Sequence, residues 1–139
     1  MRWIKPLAAA LVGLGLTVTG VAMAETIHFT VNGKTYPVEM ADTPDAASFV
    51  RRLPLTLTFE NFGSKERIAY PKPVVDVQNV VRPFEIPAGT MTIYRPWGNI
   101  AIFLVDFDWN AELTELGRLT VEGLEAIRTS GSNPVTFTE

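Results

Sequence analysis

The sequence predicts a mainly β domain, a closed or nearly closed antiparallel barrel with two short helices plugging its ends. Three observations carry this expectation. Short stretches of β-forming residues, many with period-two alternation, recur along the chain, about seven to nine in all, bounded by turn residues. Only two short segments read as helical, and each opens on a threonine cap. The run Ile100 to Val105 is continuously apolar and rich in β-formers, as expected of a strand covered on both faces. An open β-sandwich is the competing architecture.

The first 24 of the 139 residues read as an export leader. Arg2 and Lys5 form a basic start, Leu7 to Val21 is apolar, and Ala22-Met23-Ala24 is a cleavage signal that places the cut before Glu25. The alternative is a membrane anchor, but Gly13, Gly15, Thr17, Thr19 and Gly20 dilute the run. Residues 25–139 then form one exported domain, periplasmic or secreted, with no stable membrane anchor. Without Arg2 and Lys5 it holds ten basic against fifteen acidic residues, a net charge of −5. That balance argues against nucleic acid as a partner, which calls for a basic patch. The chain has no Cys and one His, which excludes lipidation at a cysteine, iron–sulfur chemistry, Cys-ligated zinc and a multi-histidine metal site. No cofactor is implied.

Thr26 to Val31 alternates, with Ile27, Phe29 and Val31 on one face. Asn32-Gly33 is a two-residue hairpin signal, because both central residues of a type I′ turn need positive φ. Lys34 to Met40 returns, so that Val31 faces Lys34, Phe29 faces Tyr36 and Ile27 faces Val38. Pro37 lacks a ladder donor and predicts an edge or a bulge there. Thr43-Pro44-Asp45 reads as an N-cap, a first-position proline and an acid in the first turn of a helix running to about Arg52. Its inward face is Ala46, Phe49, Val50 and Leu53. Leu55 to Phe59 alternates as a strand, Asn61 to Ser64 reads as a turn, and Glu66 to Tyr70 as a short returning strand.

Pro71 to Pro87 is irregular, with Asp76 to Val81 either a short strand or a helical turn. Two strands, Thr90 to Tyr94 and Asn99 to Phe107, flank the corner Arg95-Pro96-Trp97-Gly98. Leu113, Leu116 and Leu119 mark another strand. Thr120 caps a second helix to about Arg128 with Leu124 and Ile127 inward, and Val135 to Thr138 is a last strand.

Several blocks resemble a known family. Leu53-Pro54-Leu55-Thr56-Leu57-Thr58-Phe59-Glu60, Ile68-Ala69-Tyr70, Tyr94-Arg95-Pro96-Trp97-Gly98-Asn99-Ile100-Ala101-Ile102-Phe103, and Leu116-Gly117-Arg118 with Gly123-Leu124-Glu125-Ala126-Ile127 are similar, in this order, to the small bacterial cyclophilin-like domain family. The resemblance implies a closed eight-stranded cyclophilin-like barrel and little about activity, since the family is largely uncharacterised. Cyclophilins isomerise the bond before proline with an arginine beside an aromatic-lined pocket. Their signature blocks around that arginine are absent here, so no catalytic residue is carried over.

The candidate ligand-binding residues are Tyr94, Arg95 and Trp97, with Phe59, Tyr70 and Phe103 as neighbours. An arginine near aromatic faces can hold a carboxylate or polarise a carbonyl while the rings hold an apolar group. The competing role is a structural corner with Trp97 packed on the core. Arg118 follows a glycine in an apolar run and points either into a cleft or to solvent. His28 alternates outward, without a nucleophile near it in sequence. Asp106, Asp108, Glu112 and Glu115 lack the spacing of a calcium loop and read as a solvated strand end. The expected function is binding of a small molecule or proline-containing peptide at the Tyr94–Trp97 end. The alternatives are a peptidyl-prolyl isomerase with a non-standard site and an assembly partner that uses an exposed strand edge.

Overall fold

The computed structural model describes residues 25–139; the leader lies outside the described residues. Among the described residues nine strands form one antiparallel sheet: β1 (Thr26–Val31), β2 (Lys34–Met40), β3 (Leu55–Thr58), β4 (Glu60–Phe62), β5 (Glu66–Ala69), β6 (Thr90–Tyr94), β7 (Asn99–Phe103), β8 (Leu113–Leu119) and β9 (Pro134–Thr138). Two helices, α1 (Pro44–Val50) and α2 (Val121–Arg128), pack against it. The order across the sheet is β3-β9-β1-β2-β8-β6-β7-β5-β4. Its two ends, β3 and β4, are consecutive pieces of one segment interrupted only at Phe59. The sheet therefore curls into a nearly closed barrel, and a single bent segment belongs to both of its ends. That bend is why nine strands stand where eight were expected.

Sequence and structure agree closely over β1 and β2, whose register pairs Val31 with Lys34, Phe29 with Tyr36 and Ile27 with Val38. Asn32 takes φ +53° and Gly33 φ +78°, as the turn demands. Met40 N donates to Glu25 O, so even-numbered amides of β2 face β1 and odd-numbered ones face away. Pro37 falls on the outward side, one residue before β8 begins to pair at Val38. Its missing donor costs the ladder nothing.

Three expectations are corrected. The turn expected at Asn61–Ser64 starts later, because Asn61 and Phe62 complete β4 against Arg67 and Glu66. The strand expected to reach Phe107 ends at Phe103; Asp106 instead turns its carboxylate to accept from Ala88 N at 2.9 Å. Asp76 to Val81 is neither strand nor helical turn. The segment 71–87 crosses the surface as a strap held by side chains. Arg52 donates to the carbonyls of Pro73 and Val74, and Asp45 Oδ1 accepts from Gln78 N at 2.8 Å. Asp45 Oδ2 accepts from Thr114 Oγ1 at 2.7 Å, so one buried carboxylate joins α1, β8 and the strap.

The barrel interior is filled by alternate residues of the strands, among them Ile27, Phe29, Met91, Ile93, Ile100 and Phe137, all fully buried. Phe49 of α1 meets Phe137 edge-on at 5.5 Å, and Ile127 of α2 is also fully buried. Each such side chain contributes about 1.5–3 kcal/mol of burial. Gly117 sits where a Cβ would lie 2.6 Å from Glu39 O, so only glycine lets β8 approach β2 there. Between Met91 and Thr92 the β6–β8 register shifts, leaving Leu116 in a bulge that aims it inward. Arg67 of β5 is buried and donates to the Ile127 and Gly131 carbonyls, Asn61 Oδ1 and Ser130 Oγ. All four acceptors are neutral, and desolvation lowers its pKa. Among the described residues no helix is long and apolar enough to cross a membrane.

A second, smaller cluster lies on the outer wall, where Ile68, Ala101, Phe103 and Leu113 are covered by Ile86, Phe84, Phe107 and Trp109. Strand β7 thus has core on both sides, which is why Asn99–Phe103 is buried at every position and its sequence does not alternate.

Candidate functional site

The corner between β6 and β7 shapes the outer wall. Gly98 adopts φ +72°, and the Trp97 and Gly98 amides both donate to the Tyr94 carbonyl, at 3.3 and 2.9 Å. A Cβ on Gly98 would lie 2.6 Å from Val74 Cγ1, so the strap packs directly on the corner. This turn throws Trp97 outward, leaving it 53% exposed. Its ring meets Tyr94 edge-on at 5.6 Å and Phe62 edge-on at 5.9 Å. Edge-to-face contacts of this kind hold aromatic rings in place without burying them.

The three rings rim a cavity of about 210 Å³ on the barrel's outer face. Its walls are Ile68, Phe103, Phe107 and Leu113, with Glu66, Asn99 and Asn110 as the polar contributors. The register explains the convergence. Glu66 lies opposite both Phe62 and Phe103, Ile68 opposite Ala101, and Tyr94 opposite both Asn99 and Leu113. Alternation then sends all these side chains to the same outer face.

The polar groups are unequal. Asn99 is 3% exposed; its Nδ2 donates to Ile100 O at 3.2 Å and its Oδ1 has no partner among the described residues. Asn110 Oδ1 accepts from Glu112 N at 2.9 Å. Burial pushes the Glu66 carboxyl above the usual carboxylate range. The Tyr94 hydroxyl donates to Glu112 Oε1 at 3.3 Å, and desolvation, the Glu112 charge and this bond together raise its pKa. Among the described residues no lysine or arginine lines the cavity.

Of the residues singled out from sequence, Tyr94, Trp97 and Phe103 meet at this cavity. Phe59 is buried in the barrel core near Phe137, at 6.4 Å between rings. Tyr70 is exposed beyond the end of β5 and off the cavity. Arg95 folds back, donating through Nη2 to Ala111 O, and its amide donates to Glu112 O at 2.9 Å. Arg118 lies on the same outer face but about 16 Å along β8 from Leu113, from the rise per residue of a strand. It donates to Glu85 O at 3.0 Å, pairs with Glu115 at 3.4 Å, and borders a separate recess with Pro37 and Glu39. His28 is half-buried opposite Pro37 and Thr138. Among the described residues no three His, Asp or Glu side chains gather as a metal site.

Sequence reasoning missed Phe62, Glu66, Ile68, Asn99, Phe107, Asn110 and Leu113 as wall residues. Their common signal is the β4-β5-β7-β6-β8 pairing, which is long-range. Alternation within Glu66–Ala69 separates Glu66 and Ile68 from Arg67 and Ala69 without saying which side forms the hollow.

A nearly closed antiparallel barrel with an aromatic-rimmed hollow on its outer wall defines the class of protein. More particularly, the chain belongs to the cyclophilin-like family, which matches it over residues 29–138. In structure it is similar to a hypothetical protein from Archaeoglobus fulgidus, known from a solution structure, with a TM-score of 0.62 and 14% identity. That match covers 86% of this chain and 98% of the archaeal one, and it shows the fold alone. No curated protein matches the chain.

Proposed function

We propose that this chain is an exported cyclophilin-like barrel that binds a small, predominantly apolar ligand in the cavity beside Tyr94 and Trp97. The observation that carries the reading is an apolar hollow of about 210 Å³ with two rings held at its mouth, Trp97 53% and Phe62 47% exposed. Exposed apolar surface around a concave site marks binding more often than packing. A cavity of about 150 Å³ holds one benzene-sized molecule, so this one suits one ring or two fused rings. A prolyl ring of a peptide is in the same size class.

The isomerase reading has less support. Arg95 and Arg118 both lie off the cavity with guanidinium groups bonded to backbone carbonyls. A bound prolyl amide would have to find its donor elsewhere.

Protein-observed NMR titration with 1-naphthol and with a proline-containing peptide tests the proposal. Shifts should concentrate on Ile68, Phe103 and Leu113. Trp97→Ala should weaken binding about tenfold, the equivalent of roughly 1.4 kcal/mol from one aromatic contact, with the fold unchanged. Absence of cavity shifts with every ring compound refutes the reading. Exchange spectroscopy on the peptide separates binding from isomerisation, since only an isomerase accelerates cis–trans exchange. Export rests on the leader, and mass spectrometry of the exported protein should find Glu25 as its first residue.

A further inference from the structure

We infer that the ligand carries a methylated ammonium group, held against the rings of Tyr94, Trp97 and Phe62 with its charge toward Glu66. This rests on the binding reading above and names the ligand class. The register puts Glu66 directly opposite Phe62 on one side and Phe103 on the other, and all three line the hollow. Residues so opposed have Cβ atoms about 4.5–5.5 Å apart. A carboxylate therefore stands in the wall between two aromatic neighbours. Among the described residues it belongs to no ion pair. Glu66 is only half-buried, and its oxygens are not among the sealed, unpartnered polar atoms, so a group entering the hollow can meet them. The apolar walls around it raise its pKa by desolvation, and what would offset that cost is a cation.

The rings supply the rest. Trp97 stands at 82° to Tyr94 and at 87° to Phe62, so each pair forms a corner bounded by aromatic faces. The face of a ring is its negative side, and a cation within about 6 Å of the centroid is drawn to it. Tyr94 is made more electron-rich by donating its hydroxyl to the Glu112 carboxylate at 3.3 Å. The basic residues nearest in sequence are held elsewhere. Arg95 donates to the Ala111 carbonyl, Arg67 to its four acceptors on the other face of β5, and Lys65 lies outside the walls.

Methylation follows from the acceptors. A bare ammonium brings three N–H donors. Asn110 Oδ1 already accepts from Glu112 N and Asn99 Oδ1 is sealed from water, which leaves one open carboxylate. N-Methyl groups need no acceptor and present apolar surface to Ile68 and Leu113. A trimethylammonium group is close to benzene in bulk. A cavity of about 150 Å³ holds benzene, so about 210 Å³ accommodates the group.

Choline and 3,3-dimethyl-1-butanol have nearly the same shape, and only choline is charged. Titrating the ¹⁵N-labelled full-length protein with each should show choline binding about five- to thirtyfold tighter, the range cation–π contacts supply. The Trp97 indole N–H and the Glu66 and Phe103 amides should shift. Ethanolamine, which lacks the methyl groups, should bind at least threefold more weakly than choline, by the cost of unmet donors. Trp97→Leu and Glu66→Gln should each cut the choline preference at least threefold; if either variant does not fold, the wild-type ratios and the cavity shifts decide. Equal or tighter binding of the neutral alcohol in the cavity overturns the inference and leaves the small-ligand reading standing. Ethanolamine matching choline does the same, as does a choline preference left intact in either folded variant, or 1-naphthol binding in the cavity where choline does not. Failure of every probe to perturb the cavity removes both.

Discussion

Asp45 is the residue whose replacement should be felt furthest from its own position. It is 1% exposed in the first turn of α1, and its two oxygens accept from Gln78 N at 2.8 Å and Thr114 Oγ1 at 2.7 Å. Asp45→Asn preserves volume, keeps one oxygen for Gln78 N and turns its NH₂ toward Thr114 Oγ1, which can accept it but loses the carboxylate it donated to. Two bonds to a carboxylate become weaker bonds to an amide and the buried Thr114 hydroxyl must turn away, at a cost of about 1–2 kcal/mol. For a domain of this size a kilocalorie corresponds to roughly 4 °C, so Tm should fall by about 6 °C. Thr114→Val removes the other partner and should couple to Asp45→Asn by about 1–2 kcal/mol in a double-mutant cycle. Denaturant unfolding measures the energies, and amide exchange at Gln78 should accelerate as the strap loosens. A variant within about 0.5 kcal/mol of wild type, with Gln78 exchange unchanged, would refute the view that this carboxylate pins the strap.

Other residues give sharper local outcomes. Arg67→Lys should cost about 2–4 kcal/mol in denaturant unfolding, because a single ammonium cannot reach the four acceptors that the planar guanidinium spans. Gly117→Ala should cost about 1–3 kcal/mol by forcing β8 from the Glu39 carbonyl, and the methyl resonances of Met40 should shift with it. Glu66 has a folded-state pKa raised by desolvation, so the folded state holds the proton more tightly than the unfolded chain. Its effect is absent at low pH, where both states are protonated. Stability is lost as pH rises from the ordinary carboxylate value through the raised one, and the loss persists above. Glu66→Gln should therefore match wild type at about pH 3.5 and exceed it at about pH 8, as read by unfolding at both. A variant less stable than wild type at the higher pH would show that Glu66 has a stabilising partner.

Local chemistry determined much of this protein. The Asn32-Gly33 turn, the alternation of β1 and β2, and the Thr43 and Thr120 caps are short-range facts, and each stands as its residues require: Thr43 Oγ1 accepts from Ala46 N and Thr120 Oγ1 from Gly123 N. The unbroken apolar run at Ile100 likewise announced a strand covered on both faces. What tertiary structure alone decided follows from pairings between distant residues. The bend at Phe59 divides one alternating stretch between the two ends of the sheet, and no residue within Leu55–Phe62 signals that change of partner. The strap 71–87 takes its course from Arg52 and Asp45, side chains more than twenty residues earlier. The corner at Trp97 carried its rings in plain view, but its arginine turned to Ala111. The polar side of the cavity came instead from Asn99 and Glu66, set on the same outer face, toward opposite ends of the ladder, by the β5–β7 register. Residue type and spacing set which face a side chain takes along its own strand; only the closing of the barrel set which faces meet.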